Sequence, residues 1–121
     1  MATQVPGSLD FEALRRAIEE RDAEMLIGFY ADDAELRTIN KNTTPSSPHV
    51  LSGKEEISKY LRDVFSREMT HSVENEVVGD NRIAFFEACE YPDGTHVLGA
   101  ETLELRDGKI VRQVNVEAWD E

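Results

Sequence analysis

Glu101 is the residue of this chain whose surroundings most clearly favour proton chemistry. In a predicted strand it lies on the same row as Gly99 and Leu103, two residues away on either side, and as Val97 and Leu105. Because alternate residues of a strand share a face, Glu101 is predicted to lie on the apolar inner face. Loss of water favours the neutral carboxylic acid, which can donate a hydrogen bond to an oxyanion or act as a general acid. The alternative is an ion pair with Arg112 or Arg15, which would keep Glu101 charged and structural.

His71 is the second candidate for proton transfer, because histidine titrates within reach of physiological pH. The alternative is that His71, near the start of a strand, has no catalytic role and is either hydrogen-bonded within the protein or half-exposed. No metal site is predicted, since His49, His71 and His96 show no ligand spacing and Cys89 is the only thiol. The sequence also contains no phosphate loop, dinucleotide fingerprint or nucleophilic-serine motif, so no cofactor is expected.

Four strands are predicted to carry these residues after Met69. The turn signals Asp80-Asn81, Pro92-Asp93-Gly94 and Asp107-Gly108 separate them. Strands of about ten residues joined by short turns form an antiparallel meander. The predicted inner rows, strand by strand, are His71, Val73, Asn75 and Val77; Ile83, Phe85, Glu87, Cys89 and Tyr91; Val97, Gly99, Glu101, Leu103 and Leu105. The last strand is ambiguous, because Ile110, Val114 and Val116 favour one face and the row from Val111 to Glu117 could face inward instead.

The first half of the chain is predicted to form three helices, with a short strand between the second and third. The first helix is capped by Ser8 or Asp10 and has one apolar stripe, formed by Phe11, Leu14, Ala17 and Ile18. The second helix begins at Asp22 and carries Met25, Leu26, Phe29 and Tyr30. A strand from Glu35 to Ile39 and a loop from Asn40 to Leu51 follow, and the third helix begins with the capping box Ser52-x-x-Glu55. Helices first and strands afterwards predict an α+β fold.

Composition limits both domain number and partners. The chain has 121 residues, which is the size of one domain, predicted over residues 8–119 with a frayed tail at 1–7. Its net charge of −12 disfavours nucleic acid and anionic membrane surfaces as partners. No apolar run could span a bilayer, and the N-terminus has no secretory signal pattern. A single cysteine fits a reducing compartment, so a cytoplasmic location is expected.

Four segments together resemble the SnoaL-like branch of the nuclear transport factor 2-like superfamily. They are the stretch 29–36 with sequence FYADDAEL, the stretch 51–57 with sequence LSGKEEI, Thr70-His71-x-Val73-x-Asn75, and the stretch 107–111 with sequence DGKIV. The resemblance covers about residues 8–119. It implies three helices on a curved sheet shaped as a cone around a central pocket. It also implies that Val111, Gln113, Asn115 and Glu117 of the last strand face inward.

The resemblance further implies roles for individual residues. Glu101 matches the protonated aspartate of ketosteroid isomerases, and His71 matches a histidine of dehydratases of this fold. The isomerase tyrosine and catalytic base correspond to Leu14 and Thr38, so that mechanism lacks its base here. The Arg-x-Asp pair and the second aspartate of epoxide hydrolases correspond to Glu87, Cys89 and Asn115, so that mechanism is disfavoured as well.

These observations predict a protein that binds a small, mostly apolar molecule and acts on it by cofactor-independent acid–base chemistry as a lyase, isomerase or cyclase. His71 and Glu101 are the predicted catalytic residues. The predicted ligand-binding residues are Tyr30, Phe65, Phe85, Glu87, Tyr91, Gln113 and Asn115, with Phe29 as a further wall residue. The alternative is a non-catalytic ligand-binding or dimerisation module. A site for a small molecule should be a cavity of about 300 Å³ or more that touches both His71 and Glu101. Whichever row of the last strand faces the pocket, Val or Ile side chains remain on the other face. These side chains predict a homodimer through the outer face of the sheet.

Overall fold

The computed structural model describes residues 9–120, and the predicted tail at 1–7 lies outside them. Three helices and six strands follow one another as α1 (Phe11–Glu19), α2 (Ala23–Ile27), β1 (Tyr30–Ile39), β2 (His49–Ser52), α3 (Lys54–Ser66), β3 (Thr70–Val78), β4 (Arg82–Glu90), β5 (His96–Arg106) and β6 (Lys109–Trp119). The predicted α+β class is confirmed. None of the helices described is long and apolar enough to cross a membrane.

The strands form one sheet in the order β2-β1-β6-β5-β4-β3. The last four strands are the predicted antiparallel meander, joined by the three predicted turns. Strand β1 pairs in parallel with β6 and antiparallel with β2. The first strand therefore extends the sheet beyond the meander, and the apolar sides of the helices pack over one face.

Helix α1 forms as the sequence predicts. Asp10 is its N-cap, and the side-chain Oδ1 accepts a hydrogen bond from the backbone N–H of Ala13 at 3.2 Å. Such a cap satisfies one of the free N–H groups in the first helical turn. Leu14, Ala17 and Ile18 are buried together on one stripe, and they form part of the main hydrophobic core.

The second helix is shorter than predicted. It ends at Ile27 with Gly28 as its C-cap, so Tyr30 begins strand β1 and does not belong to the helix. Strand β1 is correspondingly longer than the predicted strand at 35–39. The apolar spacing from Met25 to Tyr30 fits a helix, but the backbone hydrogen bonds of Tyr30 go to the sheet.

The predicted loop and capping box also need correction. Residues His49 to Ser52 form strand β2, which pairs with β1. Helix α3 has Gly53 as its N-cap at φ 89°, with no side-chain cap. That left-handed conformation suits glycine and starts the helix one residue later than predicted. Glu56, rather than Glu55, therefore reaches back to the backbone N–H of Ser52 at 3.1 Å.

Alternation holds along β4 and β5 and fails in β3. The predicted inner rows of β4 and β5 are buried or half-buried. In β3, His71 and Val73 are buried, whereas Val77 is 69% exposed. Asn75 has φ 55°, and the register with β4 shifts between Glu74 and Val77. This bulge moves the following side chains to the other face, so the prediction for Asn75 and Val77 is wrong.

A second bulge resolves the ambiguity of the last strand. The register between β5 and β6 shifts after Glu104, so that Leu105 pairs with Ile110 and Val111 is the extra residue. Ile110 faces inward on one side of the bulge, and Gln113 and Asn115 face inward on the other. Each of the two alternative rows is therefore partly correct, and Val111 does not line the interior.

The outer face of the meander is apolar over three strands. Phe86, Leu98 and Val116 are exposed by 39%, 45% and 46%. Ala100 lies between Phe86 and Val116 in the cross-strand register, so these side chains form one row. Apolar residues gathered in this way, rather than scattered singly, are typical of an interface.

Candidate functional site

A cavity of about 240 Å³ lies between the inner face of the sheet and the helices. It touches both His71 and Glu101, as the prediction required. Its volume is below the expected lower bound of about 300 Å³, which limits any ligand to a small molecule. The predicted site residues that line it are Tyr30, Phe65, His71, Phe85, Glu87, Tyr91, Glu101, Gln113 and Asn115. Phe29 does not line it and packs instead against the main core.

Glu101 is buried in the middle of the cavity wall, with 5% of its surface exposed. Burial raises the pKa of this carboxyl well above its ordinary value, and the negative charge of Glu87 raises it further. The amide of Gln113 donates a hydrogen bond to Oε1 of Glu101 at 2.7 Å, which partly opposes the rise. Within residues 9–120 no arginine or lysine forms an ion pair with Glu101. The alternative pairing is not formed, since Arg15 instead binds Glu76 at 2.8 Å.

The Gln113 amide is itself held in place. The hydroxyl of Tyr30 donates a hydrogen bond to Oε1 of Gln113, which leaves Nε2 free to face Glu101. Burial is the main cause that raises the pKa of Tyr30, and the charge of Glu87 acts in the same direction. Tyr30 therefore keeps its proton and serves as a fixed donor. The chain of bonds from Tyr30 through Gln113 ends on one oxygen of Glu101.

His71, Glu87 and Cys89 form a second polar cluster on β3 and β4. Nδ1 of His71 lies 2.8 Å from Oε2 of Glu87, and Sγ of Cys89 lies 3.2 Å from the same nitrogen. Nε2 of His71 is buried without a hydrogen-bond partner. Because a carboxylate faces Nδ1, that nitrogen carries the proton in the neutral ring, and Nε2 keeps its lone pair. Burial, followed by the charge of Glu87, raises the pKa of the Cys89 thiol, which is therefore a poor nucleophile.

The same three side chains could also hold a metal ion. Their ligand atoms all lie within 4.8 Å of one another. The cross-strand pairing of His71 with Cys89 brings them together, and residue spacing in the sequence does not reveal it. A thiol must lose its proton to bind a metal, and burial opposes that loss in Cys89. The absence of a metal site stays a prediction.

Further polar residues of the cavity were not among the predicted site residues, although Glu117 was predicted to face inward. The carboxylate of Glu117 accepts hydrogen bonds from Nδ2 of Asn40 at 3.2 Å, Nδ2 of Asn115 at 3.0 Å and Nε1 of Trp119 at 3.3 Å. Asn40 belongs to the segment predicted as a loop, and only the fold brings it to β6. Tyr60 also lines the cavity. The helical spacing of Tyr60 with Ile57 and Leu61 predicts that all three face the interior. The spacing does not show which of them line the cavity and which pack in the hydrophobic core.

Aromatic rings close the cavity around the polar groups. Phe65 meets His71 edge to face with ring centroids 5.3 Å apart, and Phe85 meets Phe11 at 6.1 Å. Tyr91 stacks on Trp119 at 5.9 Å. These contacts give the site apolar walls with a few polar groups, the usual composition of a small-molecule pocket.

The fold has many relatives among solved structures. An NTF2-like protein of unknown function from Mesorhizobium loti aligns with a TM-score of 0.77 at 15% identity, covering 89% of this chain and 87% of its own. A SnoaL-like protein of unknown function from Burkholderia thailandensis aligns with a TM-score of 0.67 at 18% identity, covering 89% and 91%. A protein from Kribbella flavida, provisionally assigned as a ketosteroid isomerase, aligns with a TM-score of 0.71 at 16% identity, covering 92% and 75%. At these identities the likeness shows the fold alone.

Sequence comparison supports the same grouping. No curated protein matches the chain in a sequence search. Residues 11–113 match the SnoaL-like domain, a span that includes both catalytic candidates and Gln113. The resemblance inferred from the four sequence segments is thereby confirmed, and the chain belongs to the SnoaL-like domain family.

Proposed function

We propose that this protein binds a small, mostly apolar molecule in the cavity and acts on it by acid–base chemistry without a cofactor. The reaction would be of the lyase, isomerase or cyclase type. The observation that carries the proposal is Glu101, a buried carboxyl in the cavity wall that has no cationic partner among residues 9–120.

The geometry at Glu101 determines which oxygen would donate the proton. Oε1 accepts the hydrogen bond of Gln113, so the acidic proton belongs on Oε2. Oε2 lies against Gly99, since a methyl group placed on Gly99 would be only 2.9 Å from it, and both residues line the cavity. A ligand oxygen bound beside Oε2 in the cavity would receive the hydrogen bond of a neutral acid, which stabilises a developing oxyanion.

His71 supplies a base within the same cavity. Its Nδ1–H faces the Glu87 carboxylate, and its Nε2 lone pair has no partner. A carboxylate behind an imidazole orients the ring and stabilises the imidazolium that forms on proton uptake. This pair would replace the base that the isomerases of the fold carry at the position of Thr38. The ketosteroid-isomerase assignment of one fold relative supports this class of chemistry by analogy only.

Deuterium incorporation beside a carbonyl tests the proposal. In D₂O, the wild-type protein should accelerate exchange at the carbon next to the carbonyl of 2-cyclohexen-1-one, followed by NMR. Glu101→Gln keeps the shape and the acceptor for Gln113 but has no acidic proton. Loss of general acid–base catalysis costs about 10²–10⁴-fold, so the variant should lose most of the acceleration. Equal rates for the wild type, Glu101→Gln and buffer would contradict the proposal.

The non-catalytic alternative has one observation in its favour, the small volume of about 240 Å³. It predicts that 2-cyclohexen-1-one shifts the amide resonances of β5 and β6 without any deuterium exchange. Binding with exchange supports the enzyme, and binding without exchange supports the module.

We also propose that two copies of the chain associate through the outer face of the sheet. The exposed row of Phe86, Ala100 and Val116 supports this, because an apolar row of this kind loses unfavourable contact with water in a dimer.

A further inference from the structure

Three carboxyl groups from adjacent strands line the cavity. Glu87 lies on β4, Glu101 on β5 and Glu117 on β6. Among residues 9–120, Arg67 is the only arginine or lysine in the wall. Its guanidinium is already engaged by Asp63 at 2.6 Å and by the hydroxyl of Tyr91 at 3.1 Å. The cavity therefore contains more negative than positive charge.

The unsatisfied polar atoms of the cavity are acceptors. Asn115 is 94% buried, and Oδ1 of its side chain has no hydrogen-bond donor. Nδ2 of Asn115 donates a hydrogen bond to Oε2 of Glu117 at 3.0 Å, and this bond fixes the orientation of the amide. Oδ1 lies 3.0 Å from the point that a methyl group on Gly99 would occupy, so Oδ1 and Oε2 of Glu101 both lie close to Gly99 in the cavity wall. Buried polar groups in native proteins normally have partners, and a ligand N–H bound beside this oxygen would supply the missing donor.

The neighbouring aromatic rings suit a positive charge. Trp119 lines the cavity and stacks on Tyr91. Nζ of Lys41 lies 4.8 Å from the centroid of the Trp119 ring, so this ring already attracts one cation. Burial, followed by the charge of Glu117, raises the pKa of Tyr60, so this hydroxyl in the cavity wall keeps its proton.

We propose that the ligand of this cavity is a small organic ammonium ion, with an N–H that donates to Oδ1 of Asn115 and a charge that faces the carboxylate of Glu117. This inference rests on the proposed function, since it assumes that the cavity binds a small molecule. It narrows the ligand to an amine on an apolar body and excludes carboxylates and phosphates, which the charged carboxylates of Glu87 and Glu117 would repel.

Three probes of nearly the same shape test the proposal: benzylamine, benzyl alcohol and benzoate. Each is titrated at pH 7 into the ¹⁵N-labelled protein, and the amide shifts of β4, β5 and β6 are followed. Benzylamine should bind at least about tenfold more tightly than benzyl alcohol, the usual advantage of a charge-assisted hydrogen bond. Benzoate should not shift these resonances. Benzyl alcohol binding as tightly as benzylamine would overturn the ammonium proposal and leave the proposed function standing.

A pair of charge-matched variants separates the cavity from the general negative charge of the protein. Glu117→Gln should weaken benzylamine binding about tenfold and leave benzyl alcohol unchanged. Glu74→Gln makes the same charge change on an exposed residue of β3 and should alter neither. Equal weakening by both variants would overturn the proposal, because the amine would then bind the surface. If Glu117→Gln fails to fold, the three-probe comparison on the wild type still decides. Loss of deuterium exchange with the benzylamine preference intact would count against the proposed function alone.

Discussion

Adding one methyl group at Gly99 should block the site at modest cost to the fold. The methyl of Gly99→Ala would lie 2.9 Å from Oε2 of Glu101 and 3.0 Å from Oδ1 of Asn115. Ordinary contact begins at 3.4 Å, so each oxygen must retreat by about half an ångström. The nearest backbone atom, the carbonyl oxygen of Glu87, is at 3.9 Å and need not move. The strain therefore falls on two side-chain ends.

The expected change in stability follows from two opposing effects. Overpacking a filled interior costs about 1–3 kcal/mol. Replacing glycine by alanine within a strand recovers about 0.5–1 kcal/mol of backbone entropy. The free energy of unfolding of Gly99→Ala should therefore fall by about 0–2.5 kcal/mol, measured by urea denaturation. Thr102→Val, an exposed substitution on the same strand, serves as the control and should leave the site unchanged.

The effect on function should be much larger than the effect on stability. The methyl fills the space that the ligand oxygen would share with Glu101, so deuterium exchange of 2-cyclohexen-1-one should slow at least tenfold. Exchange at the wild-type rate by a fully folded Gly99→Ala protein would refute the placement of the ligand at Gly99. A loss of stability well above 3 kcal/mol would refute the assumption that only side-chain ends move.

Three other predictions address assembly, metal binding and pH. Light scattering at micromolar concentration should give twice the chain mass of 13.7 kDa, and Val116→Glu should give the monomer mass; a monomeric wild type would remove the dimer proposal. Addition of Co²⁺ should produce no thiolate-to-cobalt absorption band, because the Cys89 thiol keeps its proton; a band that Cys89→Ala abolishes would show a metal site. The wild type should lose stability relative to Glu101→Gln as the pH rises above about 4.3, because the unfolded state releases the proton first. The difference in the free energy of unfolding, measured by urea denaturation, should change by about 1.4 kcal/mol per pH unit until the pH passes the pKa of Glu101 in the folded protein. The same pH dependence of the unfolding free energy in both proteins would contradict this prediction.

Alternation along the strands explains why the centre of the site could be predicted from sequence. Glu87 and Glu101 lie on unbroken stretches of β4 and β5, where a period of two determines the face once one apolar residue is placed. The same rule fails at Asn75 and Val111, because a bulge adds one residue and reverses the faces beyond it. Nothing in the local residue pattern marks either bulge.

Contacts across distant segments are the part that sequence could not supply. The contact of Asn40 with Glu117 depends on the parallel pairing of β1 with β6, two strands that are far apart in the sequence. The helical spacing through Tyr30 was overridden by this same pairing. Local propensity is a weak preference, and tertiary hydrogen bonding in the sheet outweighs it.

Titration of the Glu101 carboxyl by carbon-detected NMR tests the proposed acid role most directly. In that role the carboxyl holds its proton at a pH where ordinary glutamates have lost theirs, because burial and the charge of Glu87 disfavour its ionised form. The pKa of Glu101 should lie clearly above the ordinary value of about 4.3. A pKa at or below that value would mean that Glu101 is an ionised structural group, and it would contradict the proposed acid role.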